Sequence, residues 1–154
     1  MLNIFFKNIK YILKIVVFVF HYRPKIFFFC PKFAVPEEIQ MPVITFTLDY
    51  GLIDHRVPAV KGKILSLKED VKIVDISHDI QAYNLLQTAY IVRNAYSFFP
   101  EGTVHIISVD SFYTKARKCI LYKADGHYFI AADNGVLSLI FYDIKPEAVY
   151  EITF

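Results

Sequence analysis

A chain of 154 residues is the size of one domain. Hydrophobic residues make up 55% of it and charged residues 21%, which excludes intrinsic disorder and provides for a sizeable core. The net charge of +2 is unevenly placed: residues 1–40 carry six Lys/Arg against two Glu, residues 41–154 eleven basic against thirteen acidic groups. The longer part is therefore slightly acidic, which argues against a nucleic-acid-binding surface.

Residues 1–40 stand apart from the rest of the chain. They hold ten aromatics, mostly Phe, punctuated by Lys7, Lys10, Lys14, Arg23, Lys25 and Lys32. The longest uncharged stretch, residues 15–22, is eight residues long, against the roughly 20 that a spanning helix needs. Lys7, Lys10 and Lys14 would share one face of a helix, which suits a membrane-surface anchor better than a spanning segment. No small-residue cleavage site comes after the apolar run, so a secretory signal fits poorly. The other reading is an extension outside the domain: the Phe/Ile/Lys/Asn/Tyr bias is that of an AT-rich frame upstream of a start at Met41. The two readings leave 1–40 as an extension and 41–154 as the folded domain.

From Met41 the pattern is that of an α/β domain. Residues 43–48 read as a buried strand and 54–67 as a helix interrupted near its start by Pro58. Residues 72–76 form a second strand. Residues 83–99 carry apolar side chains at helical spacing and end at Pro100-Glu101-Gly102. Residues 103–109 are a continuous β-branched strand, as expected where both sheet faces are covered. Residues 118–123 and 127–132 flank Ala124-Asp125-Gly126, a hairpin signal. Asp133-Asn134-Gly135 predicts a further turn before the apolar residues 136–142, and 149–152 a last strand. The expected architecture is a mostly parallel sheet with flanking helices and a C-terminal β-hairpin.

Each of the three parallel strands runs into an aspartate: Asp49, Asp75 and Asp110. In a parallel sheet all carboxyl ends share one edge, where open α/β folds bind ligands. Three carboxylates there suit ribose hydroxyls, a cation or a reacting water. Asp after a strand also caps turns, and for Asp75, with Ser77 and His78 close behind it, that is the favoured reading. Asp49 precedes Tyr50-Gly51, where glycine permits close approach of backbone to ligand. Asp110 lies seven residues before Arg117, close enough for a loop to fold the guanidinium onto the carboxylate.

Other sites are missing from the sequence. The glycines form no dinucleotide or phosphate loop, and Lys61-Gly62-Lys63 falls late in a helix. No nucleophile elbow or metal-type histidine spacing occurs. His105 reads as a core residue and His127 as a surface one. Cys30 and Cys119 have no metal or redox spacing, so a reduced, cytoplasmic chain is expected. A metal-dependent hydrolase built on Asp49, Asp75 and Asp110 lacks the histidines such sites often add.

The runs ITFTLDYGLIDHRVPAVKGKIL, KIVDISHDI, AYSFFPEGTVHIISVD and FIAADNGVLSLIF resemble, in order and spacing, the S-adenosylmethionine hydroxide adenosyltransferase family, which includes fluorinating and chlorinating enzymes. The resemblance covers residues 41–152. It implies hydrolysis of S-adenosylmethionine to adenosine and methionine, with water attacking the ribose C5′ and no cofactor. It gives Asp110 and Arg117 to the water-activating set. The halide-using relatives lack that Asp, so its presence favours water. The resemblance further gives Asp49 to the ribose diol, Asp54 to the methionine end and Tyr83 to the nucleoside, although Tyr83 reads equally well as a first-turn core residue.

Two departures stand out. The family's D-P-G-V-G turn is replaced by Asp110-Ser111-Phe112-Tyr113-Thr114, and Tyr113 in that loop completes the substrate-binding candidates. The family's catalytic histidine and C-terminal β-barrel have no counterpart before Phe154, so the expectation is a truncated chain. Family members are trimers with sites shared between subunits, which implies a homotrimer for a full-length version. The alternative is a non-catalytic adenosyl-binding or assembly fragment, tethered to membrane through residues 1–40.

Overall fold

The structure, a computed structural model, describes residues 43–111 and 118–152. The expectations for residues 1–40, and those for Tyr113 and Arg117, lie outside the described residues.

Unbroken runs of β-branched and apolar residues supply the sheet interior. In β1 (Val43–Leu48) every residue after Val43 is buried, and in β3 (Val104–Ser108) every residue is buried, as happens when layers cover both faces. β2 (Lys72–Ser77) lies at one edge and is mostly exposed or half-buried. The remaining elements are α1 (Arg56–Leu67), α2 (Leu85–Ala95) with a 3-10 turn (Tyr96–Phe98), β4 (Cys119–Ala124), β5 (His127–Ala132), α3 (Val136–Ile140) and β6 (Ala148–Ile152). The sheet order is β2-β1-β3-β5-β4-β6. β2, β1, β3 and β5 are parallel, and β4 pairs antiparallel with both β5 and β6. The α/β architecture with a mostly parallel sheet and a hairpin near its end is therefore as expected.

Side-chain alternation along the strands divides the core in two. On one face α1 lays Val57, Val60 and Ile64 against Ile44, Phe46, Leu48, Val104 and Ile106. On the other, α2 and α3 bring Val92, Val136, Leu137 and Ile140 to Ile107, Phe129 and Ala131. The β4–β5 turn places Asp125 at φ 51° and Gly126 at φ 75°, the left-handed pair that a two-residue hairpin demands.

Several boundaries differ from the sequence reading, for physical reasons. α1 starts at Arg56, because Asp54 accepts a hydrogen bond from the Arg56 N–H at 2.9 Å and so closes a side-chain turn ahead of the helix. Pro58 does not interrupt the helix. It sits in the first turn, where a missing N–H costs nothing. α2 starts at Leu85, since Asn84 caps it by accepting from the Gln87 N–H and Tyr83 has φ 65°, which no right-handed helix admits. Tyr83 is 59% exposed, so its reading as a first-turn core residue is corrected.

His105 is a core residue, as expected, but His127 is not at the surface. It is 4% exposed, with its Nδ1 3.3 Å from His105 Nε2 and its ring edge-on to Tyr96. The turn next to it is only two residues long, so His127 is already in the first register pair of β5, opposite Ala124. Asp75 also departs from expectation. It pairs in register with Phe46 and lies within β2, where its carboxylate pairs with Lys61 Nζ from α1 and stands 3.0 Å from His78 Nε2. The turn after β2 is held instead by Ser77, whose Oγ accepts from the Asp79 N–H.

Candidate active site at the carboxyl ends of β1 and β3

β1 leads through α1 to β2 on one side, and the chain then crosses to β3 on the other side of β1. The strand order thus reverses between β1 and β3. Open α/β sheets bind ligands in the crevice at such a switch point, outside the carboxyl ends.

Asp49 follows β1 directly, and Asp110 lies two residues beyond β3. The two meet: the Asp110 N–H donates to Asp49 Oδ2 at 3.2 Å, across 61 positions of sequence. Asp110 takes φ 48°, a left-handed conformation that Asp tolerates better than bulkier residues. Both aspartates are half-buried. Of the three edge carboxylates read from the sequence, the structure joins Asp49 and Asp110 and sets Asp75 aside.

Hydroxyl groups gather at the same strand ends. Tyr50 Oη is 2.8 Å from Ser108 Oγ, which is 2.6 Å from Ser111 Oγ. Tyr50 is itself fixed by Arg56, whose Nη2 donates to the Tyr50 carbonyl at 2.8 Å and whose guanidinium lies 4.9 Å over the Tyr50 ring. Arg56 also binds Asp54 through Nε at 2.7 Å. The Arg56 backbone N–H and guanidinium hold the Asp54 carboxyl below the usual carboxylate range. Asp54 thus stands on the loop that leaves Asp49, at the exposed rim of the crevice.

The loop after β2 closes the other side. The Gly51 N–H donates to the His78 carbonyl at 2.8 Å, and the Ile80 N–H reaches the Leu48 carbonyl at 3.4 Å. Gly51 needs its φ of 69° for this turn. Tyr83 lies on this segment just before α2. A bulky residue at positive φ is an outlier of the kind that gathers at functional sites.

The third wall is the turn after β5. Asn134 Nδ2 donates to the carbonyls of Val109 at 3.0 Å and Asp110 at 3.3 Å, while its Oδ1 accepts from the Val136 N–H at the start of α3. Sequence reasoning registered Asn134 only as a turn former and did not single out Ser108 or Ser111. The contacts that tie them to the site, Ser108 to Tyr50 and Asn134 to Val109 and Asp110, span 58, 25 and 24 positions, which no local pattern announces.

Among the described residues the one cysteine is Cys119. Burial pushes the Cys119 thiol up to about 11, so it is no nucleophile at neutral pH. Among the described residues no group of three or more His, Cys, Asp or Glu is placed to hold a metal ion, and no helix is long and apolar enough to cross a membrane.

Residues 44–154 match the profile of the S-adenosylmethionine hydroxide adenosyltransferase N-terminal domain. An (R)-S-adenosyl-L-methionine hydrolase of Methanocaldococcus jannaschii is 34% identical over 105 residues, covering 65% of this chain and 40% of that protein. A fluorinase of Actinopolyspora mzabensis is 28% identical over 140 residues, covering 76% of this chain and 47% of the fluorinase. Among solved structures, a conserved protein from Thermotoga maritima superposes with a TM-score of 0.67 at 32% identity, covering 71% of this chain and 43% of that one. The chain spans less than half the length of the curated relatives it matches.

Proposed function

Since this chain belongs to the S-adenosylmethionine hydroxide adenosyltransferase family through that N-terminal domain, we propose that the crevice between β1 and β3 takes S-adenosylmethionine for hydrolysis to adenosine and methionine. The observation that carries this reading is the hydrogen bond from the Asp110 N–H to Asp49 Oδ2, which joins the ends of β3 and β1 at the switch point. In this proposal Asp49 accepts the ribose diol. A carboxylate has about four lone-pair sites, so one N–H from Asp110 leaves it capacity for two hydroxyls.

Asp110, with Arg117, orients the water behind C5′. The sulfonium is a good leaving group and departs as a neutral thioether, so no general acid is needed. The barrier lies in holding a weak nucleophile in line, a matter of position and electrostatics. A carboxylate there favours water over halide, because a halide would bring a second negative charge to the same place. Asp54 supplies negative charge for the methionine ammonium, and Tyr83 and Tyr113 supply aromatic surface for the nucleoside. The domain begins near Met41, needs no cofactor, and in a longer form assembles as a homotrimer.

The test is turnover of S-adenosylmethionine by the full chain, followed as adenosine and methionine release. Asp110→Asn is expected to lower the rate about a hundredfold, the scale for losing a group that positions charge in the transition state. Unchanged turnover would remove Asp110 from the mechanism. The second reading is a non-catalytic adenosyl-binding domain that uses the same Asp49. Its signature is adenosine binding that depends on Asp49 without any turnover.

A further inference from the structure

We infer that Asn134 is a positioning residue: its carboxamide holds Asp110 in the left-handed conformation that brings the Asp110 N–H onto Asp49 and so fixes the geometry of both carboxylates. The inference rests on the reading of Asp49 and Asp110 as the ligand-facing pair, and it adds a residue from a third part of the chain. Asp110 leaves β3 at φ 48°, a region that costs a non-glycine residue free energy unless neighbours hold it there. Two carbonyls at this bend, those of Val109 and Asp110, converge on one donor, Asn134 Nδ2, at 3.0 and 3.3 Å. The Asp110 N–H on the other side of the same residue is bound to Asp49. Both sides of the Asp110 backbone are thus tied, one to the ligand-binding carboxylate and one to Asn134.

The anchor itself is firm. Asn134 Oδ1 accepts from the Val136 N–H at 3.2 Å, and the Asn134 N–H donates to the Ala132 carbonyl at 2.9 Å. Its base is the β5–α3 junction, where Gly135 turns at φ 91° and Val136, Leu137 and Ile140 are buried. The amide therefore splits its work. Oδ1 caps α3 and Nδ2 clamps the bend after β3. An aspartate at 134 keeps the cap and loses the clamp, which separates the two roles.

The experiment compares the full chain with Asn134→Asp and Asn134→Ala by amide hydrogen exchange and adenosine titration. In both variants exchange at Asp110 is expected to rise at least about tenfold, the loss of one modest hydrogen bond, with Ile106 and Phe46 in the sheet unchanged. Adenosine affinity falls about tenfold in parallel, including in Asn134→Asp, where the helix cap persists. Unaltered exchange at Asp110 in both variants overturns the clamp. Faster exchange with undiminished adenosine affinity overturns the positioning role. Absence of adenosine binding by the unsubstituted chain would instead count against the ligand proposed above, while exchange at Asp110 still decides whether Asn134 holds the bend.

Discussion

His105 is the residue whose surroundings speak most directly about pH. Its Nδ1 lies 2.7 Å from Thr45 Oγ1 and its Nε2 3.3 Å from His127 Nδ1, and its ring stacks on Phe129 at 4.8 Å. Either neutral tautomer satisfies the row, with Thr45 Oγ1 and His127 Nδ1 exchanging donor and acceptor roles. Burial, helped by the neighbouring imidazole, pushes the His105 pKa down to about 3. Burial also lowers that of His127, against the opposing pull of Asp125 and Glu101. The hydroxyl of Tyr96, which packs against both rings, is pushed up by burial and by Asp125 and stays neutral. An unfolded histidine binds its proton near pH 6.5, so below that value the unfolded state takes up a proton that the folded state refuses. Stability contributed by neutral His105 is complete above pH 6.5 and drains away as pH falls towards 3. The slope is about 1.4 kcal/mol per pH unit, or about 2 kcal/mol by pH 5. Urea denaturation at pH 7 and pH 5 measures this. The double variant Thr45→Val, His105→Phe is expected to flatten the difference, and an equally steep loss in that variant would assign the acid sensitivity elsewhere.

At the scale of elements, the β1–α1 connection is the part most exposed to a single substitution. A Cβ added to Gly51 meets nothing within 4 Å, yet the residue turns at φ 69°. The cost of Gly51→Ala is therefore purely conformational, about 1–2 kcal/mol, and thermal denaturation checks it. Because Gly51 binds the His78 carbonyl, the same change is expected to weaken adenosine binding as well, by moving Asp49. Legibility in the sequence divides in the same way between local and distant causes. β1 coincides with its predicted span, and β2 and β3 come within one residue at each end, because runs such as VITFTL and VHIIS carry their environment in their composition. The convergence of Asp49 and Asp110 was legible too, since parallel strands place their carboxyl ends together whatever the register. Asp75 was misplaced because that argument ignores register: opposite Phe46, it falls short of the edge and under Lys61. His127 was misplaced because a tight turn next to it resembles exposure. The roles of Ser108 and Asn134 depend on contacts with Tyr50 and with the bend at Val109 and Asp110, which no window of sequence contains.

For the molecule as a whole, the sheet order decides what kind of chemistry the edge can host. Placing β1 and β3 side by side brings Asp49 onto the backbone of Asp110, while β2, on the far side of β1, turns its aspartate into a bridge to α1. A metal site at that edge would need a third oxygen or nitrogen ligand converging on Asp49 and Asp110. Among the described residues no such group of three converges there, and the hydroxyls of Tyr50, Ser108 and Ser111 next to these positions bond to one another. Neutral hydroxyls are poor substitutes for carboxylate or imidazole ligands. The proposed reaction supplies its own electrophile as well: the sulfonium already carries the positive charge that a Lewis acid would otherwise provide, and a dication beside it would be repelled. Two carboxylates instead complement the cation directly, at the point where its charge is lost. Exhaustive treatment with a chelator is accordingly expected to leave adenosine release from S-adenosylmethionine unchanged, with the assay run before and after adding back magnesium or zinc. Activity that vanished on chelation and returned with one of these ions would replace the carboxylate-and-water mechanism with a metal-assisted one and would call for a third ligand outside residues 43–111 and 118–152.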